Sequence, residues 1–176
     1  MTDPDTLVIR PLDRRHDRTA FSCGLPELDR YLSRQADQDI RRRIARVFVC
    51  TDGDTDAVLG FYTLSALSIE LTSLPETLSR KLPRHPVPCA LVGRLAVDSS
   101  VHGRGLGAML LADAVRRVVA ASETVAMHAL VVDAANNSAR RFYEGFGFAP
   151  LRNRQMRLFL PLGHPGLRGP DDPAQT

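Results

Sequence analysis

Between Leu25 and Arg43 the apolar positions fall at Leu25, Leu28, Leu32, Ala36 and Ile40, the three-to-four-residue spacing of an amphipathic helix. Before it, Thr6–Arg10 has the short apolar pattern of a strand, which Pro11 is expected to stop. After it, Ala45–Thr51 is β-branched and apolar, Asp52-Gly53-Asp54 marks a turn, and Ala57–Ser65 returns, so this stretch predicts a hairpin. Residues 67–74 fit either period. A short helix is expected over 75–82, ahead of Pro83, Pro86 and Pro88.

The second half changes character. Cys89–Val97 is almost continuously apolar apart from Arg94, as expected of a strand covered on both faces. Gly103–Gly107 then turns into a helix reaching about Ser122. Met127–Val132 reads as a further buried strand, Asn136 opens a helix ending near Gly145, and Arg154–Leu160 is the last strand. The order β-α-β-β-(α)-β-α-β-α-β predicts a mixed α/β fold with parallel pairing in its second half. Residues 6–160 are expected to form one domain, between a flexible N-terminus (1–5) and a disordered tail (161–176) rich in Gly, Pro and Asp.

Composition narrows the classes. With 176 residues, 44% hydrophobic and 24% charged, the chain has ordinary globular proportions. No apolar run approaches the roughly 18–20 residues of a membrane span, and the acidic start lacks the features of a signal peptide. Cys23, Cys50 and Cys89 are too scattered for a metal site or a disulfide framework. The expectation is a soluble, reduced, cytoplasmic protein without metal. Of 23 basic residues only Lys81 is lysine, a bias that a GC-rich genome would also produce. Setting aside the acidic termini leaves about +6 on residues 6–167, a body able to attract phosphates.

The candidate chemistry lies in two segments. In Leu95-Ala96-Val97-Asp98-Ser99-Ser100-Val101-His102-Gly103-Arg104-Gly105-Leu106-Gly107 a strand ends, glycines turn the chain and a helix starts. Free amides and the positive dipole end at such a helix start suit a pyrophosphate, although a purely structural turn would look the same. No Gly-Lys-Ser/Thr follows, so this is not a Walker loop, and the dinucleotide spacing is missing as well. The second segment runs Asn136-Asn137-Ser138-Ala139-Arg140-Arg141-Phe142-Tyr143 and on to Gly145-Phe146-Gly147-Phe148. Asn136 is suited to cap the helix; Tyr143 alone could be packing or chemistry.

Together these segments resemble the acetyl-CoA motif of the GNAT N-acetyltransferase superfamily and its later Asn-x-x-Ala-x-x-x-Tyr helix, with His102 standing where Arg or Gln is usual. The resemblance implies a mixed, mostly antiparallel sheet with a central, splayed parallel strand pair, flanked by helices. It also implies acetyl-CoA as cosubstrate and no metal. Main-chain groups of Leu95, Ala96 and Val97 would hold the pantetheine arm, and His102, Gly103, Arg104, Gly105, Leu106, Gly107 and Ala108 the pyrophosphate. Asn136 and Phe142 would complete the cofactor contacts, and Tyr143 would be the general acid. No acidic residue stands out as a base; Glu70 and Asp98 read better as solvated or structural.

Phe21-Ser22-Cys23-Gly24-x-Pro26-x-Leu28-Asp29-x-Tyr31-Leu32, Gly60-Phe61-Tyr62-Thr63-Leu64-Ser65 and Val92-Gly93-Arg94-Leu95-Ala96-Val97 resemble GNAT toxins of type II toxin–antitoxin pairs. That narrower resemblance implies acetylation of the amino group of aminoacyl-tRNA, neutralisation by a small ribbon-helix-helix antitoxin, and a homodimer. The tRNA surface would draw on Arg41, Arg42, Arg43 and Arg46, and on Arg80, Lys81 and Arg84. Arg94, inside an apolar strand, needs a partner, for which a substrate phosphate or an internal carboxylate would serve. The competing readings are a GNAT enzyme acting on a small amine or protein N-terminus, and a non-catalytic CoA-binding module.

Overall fold

The computed structural model describes residues 3–82 and 86–163. Its strands are β1 (Leu7–Pro11), β2 (Arg46–Asp52), β3 (Val58–Ile69), β4 (Val87–Val97), β5 (Ala129–Asp133), β6 (Ala149–Leu151) and β7 (Arg154–Pro161). They form a seven-stranded sheet in the order β1-β2-β3-β4-β5-β7-β6, with β4 and β5 parallel and the other pairs antiparallel. This is the mixed α/β architecture that the resemblance implied. Among the named strands parallel pairing is confined to β4–β5, because β7 enters between β5 and β6 antiparallel to both; one isolated parallel bridge joins Asp17 to Ala57.

The helices are α1 (Pro26–Arg30), α2 (Ala36–Arg41), α3 (Glu76–Ser79), α4 (Leu106–Ser122) and α5 (Asn137–Gly145). Several local expectations change: β4 begins at Val87 with Pro88 inside the strand, and β7 runs through Pro161, the first residue of the expected tail. The strand at the start runs through Pro11, which pairs with Phe48; β1 lies at the sheet edge, where a missing N–H is tolerated. The single helix expected over 25–43 is interrupted by a π turn, Tyr31–Gln35, that carries the buried pair Tyr31 and Leu32. β3 extends to Ile69, beyond the expected end at Ser65, and residues 71–73 form a 3₁₀ turn. β6 was not expected. Asp3 caps a 3₁₀ turn at Pro4–Thr6 by accepting from the Asp5 N–H. No described helix is long and apolar enough to cross a membrane.

The chain divides into two compact units, Met1–Ser65 with Val92–Arg117 and Ala66–Leu91 with Val118–Thr176. In the first, Leu32, Ala36, Val49 and Phe61 are fully buried, and Leu25, Leu28 and Ile40 of the helical stripe pack onto that cluster. Gly60 on β3 is required there: a Cβ would stand 2.9 Å from Leu110 Cδ1 and 3.1 Å from the Ala96 carbonyl oxygen. Close approach of α4 to the sheet therefore depends on a residue without a side chain. A buried hydrogen bond of 2.5 Å from the Tyr62 hydroxyl to Asp113 ties β3 to α4, and Arg117 closes on the same carboxylate at 2.8 Å. In the second unit Leu74, Ala129 and Val131 are fully buried with Phe159 and Leu151 around them.

Candidate active site

The first unit holds the glycine-rich turn. β4 ends at Val97, and Asp98 caps the 3₁₀ turn Ser99–Val101: its Oδ1 accepts from the Ser100 N–H (2.9 Å) and hydroxyl (2.6 Å). Oδ2 accepts from the Ser22 N–H at 2.9 Å, so one carboxylate ties the turn to the N-terminal segment. These bonds hold the Asp98 carboxyl below its ordinary value against the opposing effect of burial, which is the largest single influence. Asp98 is structural. Glu70 is exposed.

His102 lies 2.6 Å from the Val97 carbonyl oxygen through Nε2. A carbonyl only accepts, so Nε2 carries the hydrogen and the imidazole ring closes the turn onto the strand end. Gly103 and Gly105 have φ of +76° and +82°, the left-handed region. A Cβ at either would meet nothing within 4 Å, so the space over the turn is open. The first bond of α4 runs from the Met109 N–H to the Gly105 carbonyl at 3.1 Å. The amides of Leu106, Gly107 and Ala108 thus precede any intrahelical partner and form, with the dipole of a 17-residue helix, an anion-binding helix start. Arg104 is exposed beside them. Open space, free amides and positive-φ glycines all fit a pyrophosphate.

The second unit holds the tyrosine. Asn136 is extended (φ −159°), and its side-chain oxygen accepts from the Ala139 N–H at 2.8 Å, the capping role expected. One turn beyond Ala139, Tyr143 is buried to 3% exposure between Phe142 and Phe148, with ring centroids 5.3 and 5.8 Å away. Burial first, and then the negative charge of Asp133, raises its phenol well above the ordinary value. Asp133 is itself gripped by Arg157 through two bonds of 2.7 and 3.0 Å. The Tyr143 hydroxyl makes no hydrogen bond among the described residues, so at neutral pH it is a protonated donor with its proton uncommitted.

Arg94 departs from both partners expected of it. Its guanidinium lies 3.7 Å over the Tyr31 ring, and the Tyr31 hydroxyl donates to the buried Asp39 at 3.0 Å. The aromatic face compensates part of the cost of half-burying the charge. The Asp39 carbonyl accepts from the Ile44 N–H at 2.9 Å, so this stack braces the loop of exposed Arg41, Arg42 and Arg43 ahead of Arg46. In the second unit Arg80 and Lys81 are exposed, and Arg80 meets Glu76 at 3.4 Å; Arg84 lies outside the described residues. Reading the sequence missed Arg152 and Asn153, exposed in the β6–β7 turn. The run Leu151-Arg152-Asn153-Arg154, a turn residue between arginines, was the available signal.

A strand, an open glycine turn at a helix start and a capped helix presenting a buried tyrosine define an acyltransferase of the GNAT type, and the chain belongs to that family: the acetyltransferase (GNAT) domain profile matches residues 43–150. Among its relatives, a tRNA-acetylating toxin of Mycobacterium tuberculosis is 41% identical over 152 residues, 86% of this chain and 89% of that one. A probable toxin, TacT, of Sinorhizobium fredii is 33% identical over 164 residues, 88% and 91% of the two chains. Among solved structures, AtaT complexed with acetyl-methionyl-tRNAfMet is similar with a TM-score of 0.83 and 35% identity, covering 89% of this chain and 95% of that one. A tyrosine-to-phenylalanine mutant of AtaT, bound to acetyl-CoA and the C-terminus of the antitoxin AtaR, gives 0.78 and 33%, covering 89% and 94%.

Proposed function

We propose that the protein transfers acetyl from acetyl-CoA to the α-amino group of aminoacyl-tRNA and so acts as a translation-blocking toxin. The observation that carries this reading is the 41% identity, across most of both chains, to a tRNA-acetylating toxin. The turn supports the donor half. Backbone amides from Arg104 to Ala108, with His102 and Gly103 shaping their approach, bind the pyrophosphate. Main-chain groups of Leu95, Ala96 and Val97 align the pantetheine arm, and Asn136 and Phe142 complete that side.

The reaction needs orientation, an oxyanion donor and a proton for sulfur. The neutral amine attacks the thioester carbonyl carbon, and a Val97-region amide stabilises the oxygen as it becomes anionic. The C–S bond then breaks, Tyr143 gives its proton to the departing sulfur, and the new amide nitrogen loses its extra proton to water. An aminoacyl ester has a weakly basic α-amine, so water suffices as the base. Residues 6–160 work as one catalytic domain in the cytoplasm, as a homodimer held in check by a small ribbon-helix-helix antitoxin. Arg41, Arg42, Arg43, Arg46, Arg80, Lys81 and Arg84 contribute to tRNA binding, while Arg94, stacked on Tyr31, supports the arginine loop from within.

Incubation with labelled acetyl-CoA and total charged tRNA tests the assignment. Label should appear on the aminoacyl end of one or a few tRNAs. Acetylation of a free amine or peptide, with charged tRNA left unlabelled, overturns the acceptor and leaves the donor standing.

A further inference from the structure

A cavity of about 730 Å³ opens in the second unit, lined by the Leu71–Ser73 turn, α3 and the β6–β7 hairpin. Two arginines, Arg80 and Arg152, line it together with Thr72, Ser79, Asn153 and one carboxylate, Glu76. Its walls are fastened to each other. The Arg152 N–H donates to the Ser73 carbonyl at 3.0 Å, and the Asn153 amide nitrogen donates to the Ser73 hydroxyl at 3.3 Å. Arg152 makes no ion pair among the described residues. The Arg80–Glu76 pair, 3.4 Å apart with both side chains mostly exposed, is a contact of little worth that a ligand can displace.

We infer that this cavity seats the ribose–phosphate backbone of the substrate tRNA, with Arg152 and Arg80 on phosphate oxygens and Thr72, Ser79 and Asn153 on phosphate or ribose oxygens. The inference rests on the tRNA reading above and deepens it, adding Arg152 and Asn153 to the acceptor machinery. The lining is the mixture that backbone recognition uses: guanidinium forks together with Ser, Thr and Asn groups. A protein segment would need an apolar or aromatic anchor, and the cavity offers one apolar side chain, Leu74, which is fully buried. The hairpin also leads back to the chemistry. Two residues after Asn153, the Gln155 side-chain oxygen accepts from Arg140 at 3.3 Å, and Arg140 stands on α5 three residues before Tyr143. RNA held at this turn is held by the hairpin that braces the acid's helix.

The test uses the full chain and a bulk preparation of charged tRNA, comparing wild type with Arg152→Glu, Arg152→Lys and Asn153→Ala. Arg152→Glu should weaken tRNA binding about tenfold or more at low salt and lower the slope of log affinity against log salt by about one unit. KM for charged tRNA should rise while KM for acetyl-CoA holds; Arg152→Lys should keep the salt slope. If wild type acetylates charged tRNA and Arg152→Glu matches it in KM and slope, the cavity assignment falls and the function stands. Loss of binding to poly-glutamate with tRNA binding unchanged overturns the assignment in favour of an acidic protein ligand. If wild type neither binds nor acetylates charged tRNA, both fall.

Discussion

The glycine turn and the tyrosine helix solve opposite problems. At Gly103–Ala108 the candidate anion site is built from the backbone: a Cβ at Gly103 or Gly105 would meet open space, and the charge is that of amides and a helix end. At Tyr143 the candidate acid is one side chain, sunk among aromatic rings and tuned by burial and by Asp133. A backbone site tolerates changes of side-chain identity that keep the path of the chain, and at His102 the imidazole itself holds that path through the Val97 carbonyl. A buried side-chain site does not: on the proposed mechanism the hydroxyl is the function. Substitutions in the two regions should therefore fail differently.

The largest effect is expected at the tyrosine. Tyr143→Phe keeps the ring contacts with Phe142 and Phe148 and removes only the proton donor. Steady-state turnover should fall roughly 10²–10⁴-fold, the usual scale of acid–base assistance, with acetyl-CoA affinity by calorimetry nearly kept. Undiminished turnover would reduce Tyr143 to packing.

Gly105→Asp comes next and should do the reverse. It places a Cβ at φ +82° and a negative charge where the pyrophosphate must sit. Acetyl-CoA affinity should drop by at least about tenfold, equivalent to about 1.4 kcal/mol, in a chain that still unfolds cooperatively. Equal affinity would remove the turn from the site.

Asp98→Ala should have the smallest effect, and it appears as stability. Losing the cap should cost about 0.5–2 kcal/mol at neutral pH in denaturant titrations. The sign follows from the depressed carboxyl: its contribution is full above the unfolded pKa of about 3.9 and is lost as pH falls through the lower folded value. Wild type and variant should thus converge in acid. A gap that persists there would move the cost from the charge to the side chain's shape.

How much of this was legible follows the same division. The glycine turn, the cap at Asn136 and the strands β2, β4 and β5 announce themselves through local composition and period. What escaped depends on distant parts of the chain. The π turn at Tyr31–Gln35 hides inside a helical stripe, because apolar spacing of three or four residues does not reveal a turn widened by tertiary packing. β6 is three residues long, contains Pro150, and exists because β7 pairs with it. Arg94 could be flagged as needing compensation, but Tyr31 lies 63 positions earlier in the chain, and no local rule connects them. Gly60 looked like part of a strand motif; its neighbour Leu110 on α4 explains it.

The bond from the Ser22 amide to Asp98 spans 76 positions. Closing so long a loop costs chain entropy before the contact repays it, so the anchored form of the glycine turn belongs late in folding, after the β2–β3 hairpin and the local helices. Newly made chains would carry the right local elements before that turn is fastened. A single proteolytic cut between Ser22 and Arg46 would leave the glycine motif untouched in sequence while leaving its N-terminal tether held by non-covalent contacts alone.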